Sequence, residues 1–79
     1  MAKKAFILIG VAEGRSREVA SNFRQVEGVK SVDIVTGPYD LIAIVEGENL
    51  NDIGKLVTNP IYGVSRKVTC LVLGTEDEG

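Results

Sequence analysis

Asp40-Leu41-Ile42-Ala43-Ile44-Val45-Glu46 sets five consecutive apolar residues between two carboxylates. The run is rich in Ile and Val, and Gly37-Pro38 forces a turn just before it, so it reads as a strand. A strand with one face in water alternates apolar and polar residues. This one does not alternate, so it is apolar on both faces. Ala5-Phe6-Ile7-Leu8-Ile9, inside the longer stretch Lys4 to Val11, has the same character. These two runs are the central strands of whatever sheet the chain builds.

Outward from them, the chain reads strand, helix, strand, and then the same again. Ser16 to Glu27 carries Val19, Phe23 and Val26 at i, i+4 and i+7, with Ala20 between, which is one helix stripe. Gly28 stands where a C-terminal cap belongs. Val29 to Thr36 reads as a strand. In the second half Asn49 is a natural N-cap, and Asp52 suits the positive end of the helix dipole. Leu50, Ile53, Leu56 and Val57 form the second stripe. Asn59-Pro60 should end that helix, because the residue before proline avoids helical dihedrals. Ser65 to Leu73 is the last strand. Gly28-Val29 precedes Gly63-Val64 by 35 residues, so the two halves match in architecture.

A doubled strand–helix–strand chain of this length predicts an α+β fold, the ferredoxin-like βαββαβ sandwich. That is a four-stranded antiparallel sheet with both helices on one face. Right-handed crossovers put strands 1 and 3 in the centre. Strands 2 and 4 carry Lys30, Asp33, Arg66, Lys67 and Thr69, as outer strands should.

Two helices cover one face of such a sheet, and the other is apolar as well. Several hundred Å2 of exposed apolar face, at roughly 25 cal/mol per Å2, costs on the order of 10 kcal/mol. The simplest remedy is a second copy packed face to face, so the chain is expected to be a homodimer. The alternative is a sheet twisted enough to hide the excess under loops. Size argues the same way. A chain of 79 residues buries only about 60% of its unfolded surface and usually needs a disulfide, a metal or a partner. One cysteine and no histidine leave the partner.

Charge narrows the partners. Three of the 11 acidic residues are Glu76, Asp77 and Glu78, in an acidic end expected to be flexible. Without them, 9 basic residues face 8 acidic ones. That balance gives no electrostatic footprint for nucleic acid. The longest apolar stretch is too short to span a membrane, and no cleavage pattern follows it. A cytoplasmic protein with a reduced thiol is expected.

Enzyme readings are weak. Without histidine, Cys/His and Ser/His/Asp sets are impossible, and acid–base work would fall to carboxylates, lysine or tyrosine. Cys70, in an apolar strand, reads as a packed structural thiol. Gly10 to Arg15 lacks the Gly-Lys-Ser/Thr of a phosphate loop. No catalytic residue, metal ligand or cofactor is expected.

The informative segment is Thr36-Gly37-Pro38-Tyr39-Asp40. Glycine and proline serve the turn. Asp40, at the start of an apolar strand, needs a partner for its carboxylate. Two readings stay open: Asp40 caps the turn, or it receives the ammonium group of a small zwitterion whose carboxylate takes N–H groups near Gly37.

The run Gly28-Val29-x-x-Val32, then Val35-Thr36-Gly37-Pro38-Tyr39-Asp40-Leu41-Ile42-Ala43-Ile44-Val45-Glu46, then Gly63-Val64-x-Arg66-x-x-Thr69-x-Leu71-Val72-Leu73 resembles the effector domain of the Lrp/AsnC transcription regulators, the RAM domain. The resemblance covers about residues 4–74. It implies a dimeric α/β-barrel arrangement of two βαββαβ sheets, higher rings of dimers, and amino-acid effectors bound between dimers. Carried onto this chain, it implies a ligand site at Thr36, Gly37, Tyr39 and Asp40, with Thr69 reached from an adjoining subunit. Full-length family members carry a helix-turn-helix ahead of this domain, and here only Met1 to Lys4 precede the first strand. The chain thus resembles the stand-alone form, a single domain over residues 1–79 that senses an effector. A full-length paralogue is an expected partner, and no direct contact with nucleic acid is expected. The alternatives are an assembly scaffold without a ligand, or a small enzyme of the dimeric α/β-barrel type.

Overall fold

A computed structural model describes residues 3–58 and 62–74. The elements run β1 (Lys3–Val11), α1 (Ser16–Arg24), β2 (Val29–Ile34), β3 (Leu41–Gly47), α2 (Leu50–Thr58) and β4 (Val64–Leu71). The strands form one antiparallel sheet in the order β2-β3-β1-β4. The ferredoxin-like βαββαβ architecture is therefore the one the sequence predicts, with β1 and β3 at the centre.

The alternation of burial along the central strands shows where the helices lie. Ala5, Ile7 and Ile9 of β1 and Leu41, Ala43 and Val45 of β3 are fully buried. They are paired directly, Ile7 with Ala43 and Ile9 with Leu41, so they share a face. Val19, Ala20 and Phe23 of α1 and Ile53 of α2 close over them. Burying each of the larger side chains contributes roughly 1.5–3 kcal/mol. The opposite face carries Phe6, Leu8, Ile42 and Ile44, all half-buried. Val68, opposite Leu8, is 41% exposed, and no helix among the described residues covers this side.

Local chemistry sets the ends of the elements. Asn49 caps α2, its Oδ1 accepting the Asp52 N–H at 3.0 Å. Helix α1 stops at Arg24, three residues short of the Glu27 that the apolar stripe predicts. The N–H groups of Gln25 and Val26 turn back to the carbonyls of Asn22 and Phe23, a tighter i−3 pattern that winds the chain down into Gly28. Gly28 and Gly63, the matched positions of the two halves, both adopt φ of +95°, which side chains bearing a Cβ disfavour. At Gly28 an added Cβ would also come within 2.7 Å of Leu56.

Cys70 corrects its expectation as a packed thiol. It stands opposite Phe6 on the uncovered face and is exposed. The Asn59-Pro60 helix stop and the acidic end 75–79 lie outside the described residues.

Candidate functional site

The hairpin between β2 and β3 is fixed by three hydrogen bonds on Asp40. Its carbonyl accepts the Val35 N–H at 2.8 Å, which closes the turn. Its N–H donates to the Ile9 carbonyl at 2.9 Å. Its carboxylate Oδ2 accepts the Val11 N–H at 2.9 Å. The register shift in β1–β4 pairing falls between Gly10 and Val11, and the Asp40 side chain takes up the Val11 N–H there. The carboxylate therefore does not cap its own turn but takes a backbone partner on β1, and its second oxygen is left for other use. Gly37 has φ of +119° with nothing near its Cβ position, so the backbone turns at an open, exposed point.

Tyr39 is half-buried, and the Arg66 guanidinium lies over its ring, 4.5 Å from the centroid. Such a cation–π contact contributes about 0.5–1 kcal/mol at an exposed site. Arg66 Nη2 also donates to the Pro38 carbonyl. Arg66 reaches the hairpin from β4 because Gly10 lies between. The two are register partners, and a Cβ on Gly10 would come within 2.9 Å of Arg66 Cγ and Nε. A glycine inside a strand often marks such a close approach.

Of the residues singled out from sequence, Thr36, Gly37, Tyr39 and Asp40 lie together in one hairpin, with Thr36 and Gly37 exposed. Thr69 stands apart. It pairs with Ile7, on the helix-bearing face of β4, so within one chain it does not meet the hairpin. Arg66 is the residue to which sequence reading assigned no role. Its signal was the strand-interior Gly10, but that signal needs the β1–β4 register to be read.

A groove of about 630 Å3 opens at the far end of the β2–β3 pair. Its walls include Glu27, Glu46, Glu48 and Asp52 with Lys30 and Lys55, and no aromatic side chain. The hairpin is the stronger candidate, because there an oriented carboxylate, a guanidinium and an aromatic ring converge. Among the described residues there is no group of three or more metal-ligating side chains, and no helix is long and apolar enough to cross a membrane.

Fold and hairpin define a ferredoxin-like α+β domain with one face uncovered and a polar turn at its rim. Residues 4–79 match the model of the Lrp/AsnC ligand binding domain, and the chain belongs to that family. It is 37% identical over 76 residues to the HTH-type transcriptional regulator FL11 of Pyrococcus abyssi, a match covering 94% of this chain and 50% of the relative. The chain thus spans about half the length of the curated relatives it matches. A crystal structure of a Thermus thermophilus protein superposes with a TM-score of 0.89 at 29% identity, covering 96% of this chain and 99% of that one. A transcriptional regulator from Neisseria meningitidis, solved as its L-Met complex, has the same fold at 22% identity and a TM-score of 0.82. That match covers 96% of this chain and 53% of the regulator.

Proposed function

We propose that this domain senses an amino acid and couples its binding to assembly. One observation carries the reading. The Thr36–Asp40 hairpin, with its fixed carboxylate, stands at the rim of the apolar sheet face that the chain leaves uncovered. A second copy laid on that face forms the homodimer and covers Phe6, Leu8, Ile42, Ile44, Val68 and Cys70. Rings of dimers then bring the hairpin of one dimer against its neighbour, where Thr69 of an adjoining subunit completes the site. The L-Met complex of the Neisseria regulator supports an amino acid as the effector class.

In this reading Asp40 pairs with the ligand ammonium group, and the N–H groups around Gly37 take its carboxylate. A ligand that bridges two dimers shifts the assembly equilibrium by its differential affinity for the two states. Regulation reaches DNA through mixed assembly with a full-length paralogue in the cytoplasm. No catalytic step is assigned.

Asp40→Asn tests the reading. It keeps an oxygen for the Val11 N–H and removes the charge. Calorimetry should show amino-acid affinity falling roughly 10- to 100-fold, the value of a charge-assisted bond, with the dimer mass unchanged in light scattering. Unchanged affinity would sink the Asp40 assignment. The hydrogen bond from Val11, which gives Asp40 a structural use, favours a second reading as a scaffold without ligand. A thermal-shift screen of all twenty amino acids with no response would select that one.

A further inference from the structure

We propose that Arg66 joins the N–H groups near Gly37 in receiving the carboxylate of the effector, so that opposite charges on either side of Gly10 recognise the two ends of a zwitterion. The proposal rests on the amino-acid reading above and adds to it a residue for the anionic end.

The geometry starts from one row across the sheet. Ile9 pairs with Leu41, and just before β3 the Asp40 N–H donates to the Ile9 carbonyl while its Oδ2 accepts the Val11 N–H, which sets Asp40 beside Gly10. Gly10 in turn pairs with Arg66. Gly10 and Arg66 therefore share the uncovered face on neighbouring strands, and Asp40 stands beside them where the hairpin enters β3. Two strand spacings put the outer two Cα atoms about 10 Å apart. Between them Gly10 has no side chain, and its place is taken by the Arg66 stem, which bends across the gap toward the hairpin.

The guanidinium is held at two points, the face of the Tyr39 ring and the Pro38 carbonyl. A guanidinium carries five N–H donors in a planar fork that matches a carboxylate, and the Pro38 bond uses one. Arg66 is exposed, and no ion pair joins it to Asp40. Two opposite charges so near usually neutralise each other. Here each is held by another partner, Asp40 by the Val11 N–H and Arg66 by Tyr39 and Pro38. A second copy would cover the middle of this face, but Arg66 lies at its hairpin end, and a guanidinium held there is already organised to receive an anion, which lowers the ordering cost of binding.

The experiment is calorimetry with the twenty L-amino acids, then with the carboxamide of the tightest binder. Wild type should bind the acid at least about 10-fold more tightly than the amide. Arg66→Ala should lose roughly 10- to 100-fold for the acid and nothing for the amide. Arg66→Lys should recover part of the loss, as a point charge without the fork. Gly10→Ala keeps the charge but occupies its seat, and should fall between wild type and Arg66→Ala. Equal losses for acid and amide in Arg66→Ala would mean that Arg66 only shapes the hairpin, and would overturn the proposal. So would an unchanged affinity for the acid. If wild type binds none of the twenty, the amino-acid reading itself fails and takes this proposal with it.

Discussion

Ile7 and Leu8 are neighbours in the chain with side chains of the same composition, and they end in different surroundings. Ile7 is fully buried under α1 and α2, while Leu8 faces away from the helices and is half-buried. The same contrast repeats along β3 between Ala43 and Ile44. Apolar character therefore marks these strands as central without saying which face is the core of the chain. The helices decide that, because two of them cover one side. The other side keeps its apolar residues and acquires a second use, a surface that is stable once something apolar is laid on it.

The sharpest way to break the contrast is a charge on each face in turn. Ile7→Asp places a carboxylate among Ala43, Thr69 and the helices, with no basic partner in the buried core. An unpaired buried charge costs several kcal/mol. A domain of this size is stable by roughly 4–12 kcal/mol. The variant should show no cooperative thermal transition in far-UV circular dichroism. A normal melt would mean that the helix-covered face is not the core.

Leu8→Asp should act on the other side and spare the fold. The new carboxylate faces solvent in the single chain, so strand and helix signals should persist at low temperature, with a lower melting temperature because the partner's contribution is gone. Association should be lost, because a face-to-face partner would bury that charge. Light scattering should give the mass of one chain, and the melting temperature should stop depending on concentration. An unchanged mass would refute the face-to-face dimer.

The contrast also explains what was legible in the sequence. The unbroken apolar runs gave away β1 and β3 as central strands. Asn49 with its helix stripe, and the matched Gly28 and Gly63, are local signals with local causes, and they could be read. The end of α1 could not. Val26 continues the apolar stripe, yet its N–H already belongs to the turn into Gly28. Strand β2 stops at Ile34 rather than Thr36: Val35 still gives its N–H to the Asp40 carbonyl, and the chain then leaves the ladder for the turn at Gly37. Thr36, Gly37, Tyr39 and Asp40 are contiguous, so the hairpin was visible as a unit. Arg66 was not, because its part depends on a pairing with Gly10 that is 56 residues away in sequence. The burial of Cys70 turned on which face it took, and β4 carries too little alternation to show that.

The smallest expected effect marks where the uncovered face stops acting as an interface. Asp33 pairs with Ile42 and so shares that face, but it sits on the edge strand β2 and is exposed. A partner centred on Phe6, Leu8, Ile42 and Ile44 would leave Asp33 at the polar rim, where a charge stays hydrated and contributes little. Asp33→Ala should then change stability by less than about 0.5 kcal/mol. Dimer dissociation should shift by no more than about two-fold, measured by sedimentation equilibrium. Tighter association by ten-fold or more would show that Asp33 is being desolvated, and that the interface extends across β2 to the edge of the sheet. Weaker association by the same factor would give Asp33 a basic partner on the second copy. Either result moves the boundary between the two kinds of apolar surface, and the rim position of the hairpin, three residues further along the chain, would move with it.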